Sequence, residues 1–120
     1  MGNNILLKHP QNWGLNENRV VVLTEKVLKT NKLSGVEVSI VFVGRKKAKD
    51  LNIKYRGKSY IPQVLGFPMS MVVDADGMTR LGDIVICSQK LKYEAKFQNK
   101  TINIVLEEWL QHGVENLLIQ

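Results

Sequence analysis

The sequence predicts an α/β (α+β) domain built on a mixed, mostly four-stranded sheet packed by helices. Three observations lead there. Val36, Val38, Ile40 and Phe42 alternate with Glu37, Ser39 and Val41, the period of a strand. The stretches before and after it repeat apolar residues every three to four positions, the period of a helix. Two further apolar runs flank Asp74-Ala75-Asp76-Gly77, a tight-turn sequence, so they should pair antiparallel.

In chain order, residues up to Gly14 read as extended or irregular, with an edge strand at Ile5 to Lys8. Asn16 or Asn18 caps a helix to about Thr30, with Val20, Leu23, Val27 and Leu28 as its apolar stripe. Ser34-Gly35 leads into the Val36 strand, whose second face turns apolar toward its end, as expected of a strand between helices. Arg45 to Tyr55 is a second helix, with Ala48, Leu51 and Tyr55 inward and Lys46, Lys47, Lys49 and Lys54 outward; Gly57 stops it. A loop containing Pro62 follows. Val64 to Phe67 and Met71 to Val73 read as strand on either side of Pro68, which marks an edge or an interruption. Leu81 to Cys87 is the next strand. Ser88 should cap a helix to about Phe97, with Leu91, Ala95 and Phe97 inward. From Thr101 onward the last helix is apolar on several sides, which predicts a central, buried element, with Ile102, Val105, Trp109, His112 and Asn116 sharing roughly one face. Trp13 and Trp109 are expected in the core.

The 120 residues form one expected domain spanning 1–120, since no repeat or linker divides them. Seventeen Lys and Arg against eleven Asp and Glu give a net charge of +6, which favours a polyanionic partner. No apolar run approaches the ~20 residues of a membrane span. The lone Cys87 allows no internal disulfide and reads as a small buried hydrophobe; a reducing, cytoplasmic setting is the default. Asp74 to Gly77 lacks the ligand ladder of a calcium loop.

Two stretches are more specific than composition. Tyr55-Arg56-Gly57-Lys58 is followed by Val64-Leu65-Gly66-Phe67-Pro68, and later by Leu81-Gly82-Asp83-Ile84-Val85-Ile86-Cys87. With His112-Gly113, in this order and spacing, they resemble the YbeY family of rRNA maturation endoribonucleases over roughly residues 36–118. The resemblance implies a YbeY-like, metalloproteinase-like fold, a zinc held by three histidines, and RNA (rRNA) or the ribosome as partner. It assigns Arg56 as the catalytic-cleft arginine facing RNA phosphate, Asp83 as the acid opening a strand, and His112 as the first metal histidine.

The departures from the family pattern bear on chemistry. Pro62-Gln63 replaces Thr-Asp, Gly66 replaces a serine, Glu115-Asn116 replaces Leu-His, and Ile119-Gln120 replaces Gly-Tyr. Asn116 therefore stands at the second ligand position, and the chain ends before the Asp-His that would bring the third. A hydrolytic zinc needs three protein ligands and an open water position. His112 is a remnant ligand, Glu115 at i+3 or a distant His9 would have to help, and a neutral amide is a poor zinc ligand. The expectation is that zinc binding is weak or absent.

Each candidate has a plain alternative. His112 would hydrogen-bond Glu108 or Glu115 on its own helix. Arg56 would pair with a local carboxylate such as Asp83, rather than present its fork, with Lys54 and Lys58 beside it, to phosphate. Arg45, Lys46 and Lys47 would form a solvated helix face rather than a sequence-independent RNA contact. Asp83 would be a structural acid accepting backbone hydrogen bonds. The leading expectation is an RNA-processing protein with an impaired metal site. Hydrolysis surviving through other ligands, or through residues outside this chain, is the enzymatic alternative; a basic, non-catalytic RNA-, ribosome- or partner-binding domain is another. Whether Leu117, Leu118 and Ile119 leave an exposed apolar end is open at this point.

Overall fold

The computed structural model describes residues 2–69 and 71–119; Gln120 lies outside the described residues. Strand β1 (Asn4–Lys8) leads to helix α1 (Glu17–Thr30), then β2 (Val36–Val43), α2 (Arg45–Arg56), β3 (Val64–Pro68), β4 (Thr79–Cys87), α3 (Ser88–Phe97) and α4 (Ile102–Leu118). The sheet runs in the order β1-β2-β4-β3, with β1, β2 and β4 parallel and β3 antiparallel to β4. The expected mixed, four-stranded sheet is present, with β1 and β3 as its edges.

Strand parity sorts the two faces. Val36, Val38, Ile40 and Phe42 of β2 and Leu81, Ile84 and Ile86 of β4 are buried beneath α1, α3 and α4, forming the main core. Val20, Leu23, Val27 and Leu28 of α1 complete it, as their helical spacing predicts, and Trp13 and Trp109 are both inside. The Asn16 side chain accepts from the Arg19 N–H at 3.0 Å, the expected N-cap. The opposite parity, including Ser39, Asp83 and Phe67, faces the side on which α2 lies.

Two close approaches seat α4 on the sheet. A β-carbon at Gly113 would stand 2.7 Å from Cγ2 of Ile84, so the glycine lets the helix backbone rest directly on β4. Gly82, at φ +133°, sits where the β2–β4 register shifts between Glu37 and Val38, and any β-carbon there would collide with the Phe67 carbonyl oxygen.

Several expectations need correction. Met71 to Val73 is not a strand: apart from one bridge between Val73 and Thr79, the segment is exposed. Past Pro68 the Met69 N–H still reaches Leu81 O at 2.9 Å and the next bridge is Val73 to Thr79, so this segment has more residues than β4 has to face them. Ser88 does not cap α3, because β4 runs straight into the helix and the cap position falls on Cys87, itself buried. Phe97 is 75% exposed, since α3 turns the Leu91–Ala95 stripe inward and a residue two positions further points away. Tyr55 is likewise 56% exposed; the buried stripe of α2 is Ala48 and Asn52. At the end of α4, Leu117 is fully buried and Ile119 exposed.

Candidate nucleic-acid interface

The family-like motifs converge on edge strand β3. From one side α4 packs on it: a β-carbon at Gly66 would come 3.0 Å from Cβ of Asn116, which fixes Asn116 against the strand. From the other side the end of α2 reaches it, with Tyr55 edge-on to Phe67 at 5.0 Å between ring centroids. Between them lies a cleft of about 460 Å³ lined by Tyr55, Arg56, Asn116 and residues 64–67 of β3.

Arg56 is the last residue of α2, and two interactions hold the turn behind it. Gly57 adopts the left-handed conformation at φ 67° and donates to Ile53 O, while Lys58 N–H reaches Asn52 O at 3.3 Å. The buried Asn52 then donates from Nδ2 to Tyr60 O at 2.9 Å, folding the following loop back onto the helix. Its Oδ1 is buried without a partner among the described residues. Arg56 therefore stands on a pinned support, and it lines a second groove of about 320 Å³ with Tyr60, Gln63 and Lys90. No carboxylate pairs with it among the described residues, so the expected Arg56–Asp83 alternative is not formed. Its fork faces solvent.

The other basic candidates separate into two groups. Lys54 and Lys58 are exposed beside Arg56, with Lys54 Nζ 5.1 Å from the Tyr55 ring centre. Arg45, Lys46 and Lys47 sit at the opposite end of α2, about 16 Å away by helical rise, around a shallow groove that includes Asp50 and Gln89. Lys46 Nζ is 3.4 Å from Asp50, and Gln89 Oε1 accepts from Arg45 N–H at 3.1 Å. They share a helix with Arg56 but not its cleft.

His112 is exposed on α4, one turn before Asn116. Neither expected helix partner engages it: Glu108 pairs instead with Lys100 at 3.2 Å, and no hydrogen bond to His112 is found among the described residues. His9 lies by β1, at the other edge of the sheet, stacked on Trp13 at 3.9 Å with its ring nitrogens bound to Pro10 O and Glu17. It cannot serve as a helper ligand from there. No three His, Cys, Asp or Glu side chains gather as a metal site among the described residues. One imidazole beside a neutral amide does not fit the three-donor set of a hydrolytic zinc.

Asp83 also departs from expectation. It accepts no side-chain or backbone hydrogen bond among the described residues, because it points to the open face of the sheet. The acid-paired role belongs to Arg80, which the sequence reading missed. Its guanidinium spans Asp74 at 2.9 Å, Asp76 at 2.8 Å and Glu37 at 3.2 Å, tying the 74–77 turn to β2. The Arg80 hydrogen bonds hold the Asp76 carboxyl well down, at about 2. Only the Asp-rich turn four residues before an arginine hinted at this. Lys90, brought to the Arg56 groove from α3, left no sequence signal at all.

A cavity of about 780 Å³ between α1 and α4 contains none of the motif residues, and of its lining residues only Arg19 is charged.

Comparison with known proteins decides the family. The family model described as Endoribonuclease YbeY matches residues 8–118. The chain belongs to the YbeY family. The Endoribonuclease YbeY of Thermodesulfovibrio yellowstonii is 41% identical over 81 residues, covering 68% of this chain and 50% of that protein. The Bdellovibrio bacteriovorus Endoribonuclease YbeY is 35% identical over 102 residues, covering 82% and 63%. This chain spans about half the length of the relatives it matches. The solution structure of TM1509 from Thermotoga maritima superposes with a TM-score of 0.63 at 24% identity, over 94% of this chain and 71% of that one, which shows a shared fold. The YbeY motifs thus supply the cleft around β3. Among the described residues, no helix is long and apolar enough to cross a membrane.

Proposed function

We propose that this YbeY-family chain takes part in rRNA processing as a cytoplasmic RNA-binding domain whose metal site is impaired. The observation that carries this reading is the solvent-facing fork of Arg56, unpaired among the described residues, at the head of a cleft whose metal helix offers a single imidazole. A guanidinium without a protein carboxylate is free to take phosphate oxygens in bidentate fashion. Lys54 and Lys58 beside it, and the Arg45–Lys47 group further along α2, add sequence-independent attraction, while Lys90 in the same groove is already 3.5 Å from Glu94. The relatives' names say endoribonuclease, so RNA is the substrate class they suggest; ribosomal RNA, with the ribosome as the setting, rests on the motif resemblance.

Binding of a short single-stranded RNA should weaken steeply as salt rises, with a slope set by the number of neutralised phosphates. Arg56→Ala should cost about tenfold in affinity. Affinity that ignores both salt and this substitution would favour a basic partner-binding domain without RNA. Zinc content and EDTA sensitivity of RNA cleavage test the impaired site. Near-stoichiometric zinc, with cleavage lost on chelation and on His112→Ala, would overturn it.

A further inference from the structure

The open face of the sheet carries a hollow that the phosphate cleft does not explain. Leu51, Tyr55, Phe67, Asp83 and Val85 enclose about 320 Å³ there. Its walls are apolar and aromatic, its rim is the half-exposed Tyr55 ring, and a single carboxylate stands inside. Strand register places Asp83 directly opposite Phe67 on the same face, so the acid and the ring are neighbours by sheet geometry. Asp83 has no protein donor among the described residues, although Arg80 on its own strand holds three other carboxylates. Tyr55 and Phe67 line this hollow and the Arg56 cleft alike, so the two are continuous around the end of α2.

We propose that this hollow is a base-reading site for single-stranded RNA, in which Asp83 accepts the N1–H and N2–H of an unpaired guanine lying against Tyr55 and Phe67. Unpaired bases are recognised by stacking on aromatic rings and by hydrogen bonds on their Watson–Crick edges. An ionised carboxylate offers two acceptor oxygens and no donor. Guanine answers with two adjacent donors. Uracil presents one N–H between two carbonyl oxygens, which the carboxylate repels, and adenine and cytosine each set one amino group beside a ring nitrogen acceptor. Asp83 is partly exposed, so solvent reaches its oxygens, and guanine would take the place of that solvent without leaving the acid unpaired. Arg56, at the neighbouring cleft, is placed for the adjoining phosphate. The proposal rests on the RNA-binding reading above and adds the specificity to it.

The test uses fluorescent eight-nucleotide oligouridines carrying guanosine, inosine, adenosine or cytidine at one central position, titrated with the full chain. Inosine keeps N1–H but lacks the N2 amino group. Guanosine should bind about tenfold more tightly than inosine, the scale of one lost partner in a bidentate pair. Asp83→Asn, which replaces one acceptor by a donor, should bring that ratio close to one, and circular dichroism reports whether the variant is folded. Should Asp83→Asn unfold, the guanosine-to-inosine ratio of the unsubstituted chain still decides. Equal affinity for all four oligonucleotides, or a ratio that survives Asp83→Asn in a folded protein, overturns base reading and leaves RNA binding standing. Failure of every oligonucleotide to bind overturns both.

Discussion

Gly113 and Ile84 meet across the α4–β4 contact with no space for a methyl group, since a β-carbon on the glycine would lie 2.7 Å from Cγ2 and 2.9 Å from Cδ1 of Ile84. Ile84 is fully buried and cannot swing away without opening the core. Gly113→Ala should therefore cost about 1–3 kcal/mol, the usual penalty for overpacking. Urea denaturation would show it as a lower midpoint at an unchanged slope; an unchanged midpoint would mean that α4 is less tightly seated than its contacts indicate.

Asn116 stands one turn beyond His112 and both are exposed, so Asn116→His would create an imidazole pair at i,i+4. Such a pair chelates zinc where one histidine does not. Titration calorimetry should record an affinity increase on the order of tenfold or more, falling at low pH as the imidazoles protonate. Cleavage activity should not appear with it, because no third His, Cys, Asp or Glu gathers there among the described residues. Equal zinc affinity in the two proteins would show that the unsubstituted chain already binds through a different set of groups.

The Arg80 clamp gives a second electrostatic prediction, in acid. Asp76 is lowered from 3.8 to about 2, first by its side-chain hydrogen bonds to Arg80 and then by the Met78 N–H. Because the folded value lies below the unfolded one, the Asp76 contribution is complete above about pH 4 and fades as pH falls toward 2. Arg80→Ala should return the Asp76 carboxyl toward the ordinary carboxylate range, as followed by carbon-13 NMR titration. A carboxyl that stayed near 2 would place the cause in the turn backbone.

His9 behaves in the opposite sense. The Pro10 carbonyl at 2.8 Å and then the Glu17 carboxylate at 2.6 Å each take a ring N–H, an arrangement that needs the imidazolium form and raises its pKa above 6.5. The folded value exceeds the unfolded one, so this contribution is complete below about pH 6.5 and is lost as pH climbs through the folded value. Proton NMR should find His9 titrating above 6.5, and Glu17→Gln should lower it. A titration at or below 6.5 would mean that the Glu17 contact is not populated.

Local pattern carried much of the fold. The alternation in β2 and the stripe of α1 depend only on which residues are apolar and at what period, so both were legible, as was the Asn16 cap. Tyr55 and Phe97 were misplaced for one reason. A helix's period says which residues share a face, while the neighbouring elements choose the angle at which that face is turned. The strand expected at Met71–Val73 failed because a regular ladder needs matched lengths on its two sides as well as β-forming residues, and β4 offers only Arg80 between the contacts at Leu81 and Thr79.

At the candidate site, the sequence by itself determined the donors: one imidazole at 112, an amide at 116, a guanidinium at 56 and a carboxylate at 83. It also determined the family, since the motifs and their order are properties of the chain. Tertiary structure decided which of these groups act together. Strand register turned Asp83 to the open face beside Phe67, gave the acid-binding role to Arg80, and carried Lys90 from α3 to the Arg56 groove. Those outcomes depend on how segments distant in sequence align in space, and no local periodicity encodes that alignment.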